Sequence, residues 1–122
     1  MAEFIITDVT KKYEGTTPTL ALHNISLTIT DGEFVCFLGP SGCGKSTLLE
    51  ILAGLIRPSS GNVLFDGELL QGPSRKLGFV FQDASLYSWR NVHENIELGM
   101  EICGITKAAR KPVAEKYIKM VG

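Results

Sequence analysis

Residues 39–46 read Gly39-Pro40-Ser41-Gly42-Cys43-Gly44-Lys45-Ser46, with Thr47 following. The pattern is Gly-x-x-x-x-Gly-Lys-Ser, a loop whose backbone cradles phosphate when it joins a strand to a helix. Both flanks suit that context. Upstream, residues 33–38 (Glu-Phe-Val-Cys-Phe-Leu) are an apolar run with β-branched and aromatic members, which reads as a strand. Downstream, Leu48, Leu49, Ile51 and Leu52 recur at helical spacing, and Gly54 marks the helix end after Ala53.

The spacing follows from chemistry. Glycines at 39, 42 and 44 let the chain turn back on itself without Cβ clashes, so that successive N–H groups converge on phosphate oxygens. A helix opening at about Gly44 adds its unpaired N–H groups and its positive end. A helix dipole contributes about 0.3–1 kcal/mol, whereas a hydrogen bond to a charged group contributes about 1.5–3, so converging donors together with Lys45 dominate. Lys45 is expected at the β- and γ-phosphates, the Ser46 hydroxyl at Mg²⁺, and Thr47 at the α-phosphate.

The chain of 122 residues has the size of one domain and is 44% hydrophobic, enough for a core. A net charge of −1 gives no bulk electrostatic attraction to nucleic acid or to an anionic membrane surface. Three cysteines, at 36, 43 and 103, are odd in number and have no Cys-x-x-Cys spacing. They suggest neither a disulfide framework nor zinc, and point to a reducing cytosol. Cys43 reads as a small filler of the loop. No run approaches membrane-spanning length, and the start at Met1 has no signal-peptide architecture.

In chain order, residues 4–10 read as an opening strand, 11–18 as a polar breaker, and Leu20 to Ile29 as a second strand. Asp31-Gly32 is a hairpin turn signal leading into 33–38, so an antiparallel start feeds the phosphate loop. Residues 57–61 form a loop, 62–65 a short strand, Asp66-Gly67 a turn, and 76–81 an apolar strand ending at Gln82. Residues 84–90 read as a loop with exposed Tyr87 and Trp89. Asn91 caps a helix with Glu94, and Val92, Ile96 and Met100 line one face of it. A last helix covers 106–121, with Pro112 as a kink or as its start. Its lysines read as a solvated face, and neither His23 nor His93 has metal-ligand spacing.

Four stretches together resemble the N-terminal half of an ATP-binding-cassette (ABC) transporter ATPase subunit: Ile25-Ser-Leu-x-Ile before Asp31-Gly-Glu-Phe, residues 38–49, Ala53-Gly-Leu-x-x-Pro-x-Ser-Gly61, and Val80-Phe-Gln-Asp83. The resemblance implies an α/β fold: a P-loop NTPase core with an N-terminal antiparallel β-subdomain over about 1–83, then the start of a helical subdomain over about 84–122, incomplete. It implies ATP and Mg²⁺ as cofactors. Tyr13 matches the aromatic that stacks on adenine. Gln82 matches the Q-loop glutamine, which contacts Mg²⁺ and the attacking water. Residues 84–100 match the region that receives a transmembrane permease subunit. Gly72-Pro73 and Trp89 are similar to the nitrate, sulfonate and taurine importer group, with Ser88 where that group usually has proline.

The resemblance also implies that the parent protein hydrolyses ATP as a homodimer. It would be cytoplasmic, peripheral on the inner face of the membrane through the permease, without direct insertion and without nucleic acid. The Leu-Ser-Gly-Gly-Gln signature, the strand ending in Asp-Glu and the switch histidine do not occur in these residues. The chain is therefore expected to be a fragment, inactive alone, because phosphoryl transfer depends on positioned charge. The alternative reading is a non-catalytic nucleotide-binding or assembly module. A P-loop kinase or GTPase fits less well, given Gln82 in its setting, the antiparallel start and the lack of Asn-Lys-x-Asp.

Overall fold

The computed structural model describes residues 3–122, so Met1 and Ala2, part of the start read above as lacking a signal sequence, lie outside the described residues. The chain divides into two compact units, Met1–Phe79 and Val80–Gly122.

In the first unit, alternating β-branched and polar residues form β1 (Phe4–Tyr13) and β2 (Thr19–Ile29). They are followed by helix α1 (Lys45–Leu52), β3 (Ser60–Phe65) and the short β4 (Glu68–Leu69). The four strands make one sheet in the order β2-β1-β3-β4, antiparallel throughout. Asp66 and Gly67, both at positive φ (52° and 78°), close the β3–β4 hairpin, as an Asp-Gly turn should. Ile6, Val9, Leu22 and Val63 from the sheet pack with Leu48, Ile51 and Leu52 of α1 to form the core.

Strand β1 is longer than its sequence suggested. Lys11, Lys12 and Tyr13 pair with Leu22, Leu20 and Thr19 of β2, so only 14–18 break the pattern. Pairing with a partner overrides the polar composition of Lys11 and Lys12. The strand also carries a bulge. Ile6 and Val9 are both buried although three residues apart, and Asp8 between them has φ 47°. That irregularity resets the alternation. Val9, Lys11 and Tyr13, at every second position, then share the face turned to α1.

Two expected strands are not strands. Residues 33–38 and 76–81 are assigned to no strand. Their composition suits a sheet, but composition alone does not set the geometry of a ladder. Phe37 packs against the core, whereas Phe34 and Leu38 are each 92% exposed. The turn at Asp31-Gly32 does form, with Gly32 at φ 77° and Glu33 N–H bonded to the Thr30 carbonyl at 3.1 Å, but it closes no hairpin.

The second unit contains α2 (Val92–Ile102) and α3 (Lys107–Val121). The Asn91 side chain accepts from Glu94 N–H while the Glu94 carboxylate accepts from Asn91 N–H, both at 3.0 Å, completing the expected capping box. The α3 helix starts at Lys107, five residues before Pro112, so Pro112 does not open it. The buried side chain of α2 is not apolar: it is Glu97, 2.7 Å from Arg110 Nε of α3. Val92 and Ile96 do share a face, but it is exposed.

Candidate functional site

The phosphate loop leaves the extended segment 33–38 and enters α1 through Gly44, the N-cap residue, whose φ of 98° is a left-handed value. A Cβ at Gly44 would collide with the Ala21 carbonyl oxygen of β2 and stand 2.8 Å from Leu22 Cδ2. Glycine is therefore required there twice over, by dihedral and by contact. No side chain caps α1 and its first turn holds no acidic residue. Its leading N–H groups thus remain available to an anion at the loop.

Lys45 points back over the same loop. Its Nζ donates to the carbonyls of Gly39 at 2.7 Å and Pro40 at 2.8 Å, and lies 3.4 Å from Cys43 Sγ. The cation is thus held against the loop by the loop's own backbone carbonyls. Ser46 is exposed in the first turn of α1, and Thr47 beside it is half-buried. Gly42, at φ 80°, has nothing near its absent Cβ, so it serves the turn rather than close packing.

Tyr13, at the end of β1, is brought to this site. Its hydroxyl lies 3.4 Å from Thr47 Oγ1, and its ring is 42% exposed. Lys11, two residues earlier on the same strand face, places Nζ 5.2 Å from the ring centroid while donating to the Arg57 carbonyl at 2.9 Å. The sequence reading had missed Lys11. The signal that finds it is the period of two along β1, once the strand is carried past Thr10.

Gln82 lies in the second unit, in an exposed bend before Asp83. The following segment is a tied turn. Asn95 of α2 accepts from Tyr87 N–H at 2.9 Å, and its amide donates to the carbonyls of Tyr87, Arg90 and Asn91 at 3.2, 3.0 and 3.0 Å. One side chain thereby satisfies four backbone groups of the loop. The rings of Tyr87 and Trp89 stand 4.8 Å apart, and Trp89 is 76% exposed. Leu86, Tyr87, Val92 and Ile96 line an apolar groove of about 420 Å³ beside them. Asn95 is a second residue that sequence reading missed, and no local signal marks it.

Arg90, at the end of this turn, donates to Glu101 at 2.7 Å. That bond pushes the arginine pKa up further and holds the Glu101 carboxyl below its ordinary value. Arg110 adds a longer contact to Glu101 at 3.8 Å and donates to the Ile105 carbonyl at 3.1 Å. Among the described residues no cluster of histidine, cysteine or acidic side chains could by itself hold a metal, and no helix is long and apolar enough to cross a membrane.

A family model described as ABC transporter matches residues 22–122. An uncharacterized ABC transporter ATP-binding protein of Methanocaldococcus jannaschii is 50% identical over 102 residues, covering 84% of this chain and 38% of that protein. The nitrate import ATP-binding protein NrtD of Synechocystis sp. is 42% identical over 118 residues, 96% of this chain and 44% of NrtD. The taurine import ATP-binding protein TauB of Escherichia coli is 42% identical over 102 residues, 84% of this chain and 40% of TauB. Among solved structures, a dimeric ATP-binding cassette in a post-hydrolysis state bound to ADP and Pi superposes with a TM-score of 0.85 at 33% identity. It covers 96% of this chain and 56% of its own. The chain thus spans about two fifths of the length of the curated relatives it matches.

Proposed function

The chain belongs to the ABC transporter family, and from that premise we propose that it carries the nucleotide-binding half-site of a transporter ATPase. The observation that carries this reading is Lys45 held over the phosphate loop at the uncapped start of α1, with Tyr13 beside Thr47. A backbone that only glycine can adopt at Gly44 and the uncapped N–H groups at the start of α1 suit a polyphosphate. ATP brings the transferable phosphoryl group, and Mg²⁺ brings the charge that neutralises it.

In this proposal the backbone of Gly39, Pro40, Ser41, Gly42, Cys43 and Gly44 wraps the phosphates, Lys45 offsets charge at the β- and γ-positions, and Thr47 donates to the α-phosphate. The Ser46 hydroxyl and Gln82 are the ligands offered to Mg²⁺, and Gln82 also orients water. Tyr13 supplies a face for adenine. The turn at 84–90 and the adjoining groove, within 84–100, receive the permease, since aromatic anchors carry disproportionate interface energy. The parent acts as a homodimer on the cytoplasmic face of the membrane. Nitrate- and taurine-type relatives suggest import of a small oxyanion-bearing solute.

The 122-residue chain by itself is proposed to bind nucleotide without turnover. Calorimetry with Mg-ATP and a phosphate-release assay test both halves of that statement. Measurable binding and no turnover are expected. Absence of binding overturns the half-site, and brisk hydrolysis by this chain overturns its description as non-catalytic alone. In the full-length protein, hydrolysis that survives Lys45→Ala would sink the assignment of the loop.

A further inference from the structure

The hydroxyl groups of Tyr13 and Thr47 lie 3.4 Å apart, and either atom could be the donor. Hydroxyl pairs prefer about 2.7–2.8 Å, so the contact is long and its direction is open. Each hydroxyl has one proton to give and two lone pairs to receive with. Thr47 occupies the first turn of α1, immediately after the phosphate lysine and the magnesium serine of the proposed half-site. A phosphate oxygen can only accept there. Once it takes the Thr47 proton, Thr47 has only acceptor capacity left for Tyr13, and the phenol must donate.

We propose that Thr47 is a positioning residue for Tyr13, and that a relay from the Tyr13 hydroxyl through the Thr47 hydroxyl to a phosphate oxygen couples base binding to phosphate binding. The inference rests on the nucleotide reading above and deepens it. Polarisation along such a chain strengthens both bonds, so the long contact shortens when phosphate arrives. The ring is then fixed at its hydroxyl end by Thr47 and braced by Lys11, which is itself anchored on the Arg57 carbonyl. Ordering the ring before the base lands removes part of the entropic cost of stacking. The triphosphate therefore raises affinity for the base, and the base raises affinity for the triphosphate by the same factor.

The test compares calorimetric affinities of this chain for Mg-ATP and for magnesium with inorganic triphosphate, and reads their ratio. Tyr13→Phe keeps the ring and removes the relay. It is expected to lower the ratio about 3- to 10-fold, the worth of one net hydrogen bond, while triphosphate affinity changes less than about twofold. Thr47→Val lowers both the ratio and triphosphate affinity, and Thr47→Ser restores the ratio. In the Thr47→Val background, Tyr13→Phe causes no further fall. An unchanged ratio in Tyr13→Phe, or an equal fall in both backgrounds, overturns the relay while leaving the half-site standing. Failure of the unaltered chain to bind either ligand overturns the half-site and the relay together.

Discussion

Lys45 is restrained by its own loop, through carbonyls 2.7 and 2.8 Å away, and that restraint makes its charge predictable in position. Lys45→Ala removes a charged donor and should weaken triphosphate binding about 10- to 100-fold, read by calorimetry, with little change in melting temperature. Gly44→Ala should do the opposite. Its φ of 98° and the Ala21 carbonyl behind it leave no room for a methyl group, so thermal unfolding should show a loss of roughly 2 kcal/mol or more. At this scale the sequence was informative because the loop's chemistry is local. The residues proposed to contact phosphate and Mg²⁺ at this loop fall within nine consecutive positions, 39–47. The neighbours of Tyr13 were not legible in the same way, because Thr47 and Lys11 reach it only once β1 has paired as far as Thr19.

Elements followed the same division between local and distant causes. The Asp66-Gly67 hairpin and the Asn91–Glu94 capping box are written within four residues and formed as read. Segments 33–38 and 76–81 have strand composition but are assigned to no strand, because a ladder is decided by residues distant in the sequence. The burial of Glu97 was equally hidden, since the reason for it is Arg110 thirteen positions later. Glu97→Ala leaves that guanidinium, 16% exposed, with only the longer contact to Glu101 and the Ile105 carbonyl. It should destabilise the α2–α3 pair by about 1.5–3 kcal/mol, the worth of a hydrogen bond to a charged group, seen as lost helical circular dichroism. Asn95→Ala removes the partner of Tyr87 N–H and of the Arg90 carbonyl, leaving the Tyr87 and Asn91 carbonyls to backbone N–H groups, and because Trp89 is the sole tryptophan the loosened turn should lower its emission anisotropy. The Arg90–Glu101 bond has a sign that can be checked. Its carboxyl is held low, so the tie is intact above the ordinary carboxylate range and is lost as pH falls through the depressed value. Acidification to below the ordinary carboxylate range should therefore loosen the same tryptophan signal.

On the scale of the whole molecule, a sheet-and-helix unit holds residues 39–47 and Tyr13, and a helical unit holds Gln82 and the aromatic turn. Apolar side chains at Phe34, Leu38 and Val80 are more than nine-tenths exposed. Surfaces of that kind drive association, so light scattering on the isolated chain should report mass rising with concentration. Phe34→Glu together with Leu38→Lys should reduce it. The bulge in β1 has a different kind of consequence, one that concerns length rather than identity. Ile6 and Val9 face inward on either side of Asp8, so the strand counts one residue more than its pleat allows. Excising Asp8 would restore plain alternation with Ile6, Val9 and Tyr13 still on one side of the sheet, whereas excising a residue between Val9 and Tyr13 would turn Tyr13 to the opposite side. Gene lineages of this segment should then accept point changes and even the loss of the bulge codon, but no single-codon insertion or deletion between Val9 and Tyr13, because the reading frame of the pleat, like that of a codon, is set upstream of the residue that uses it.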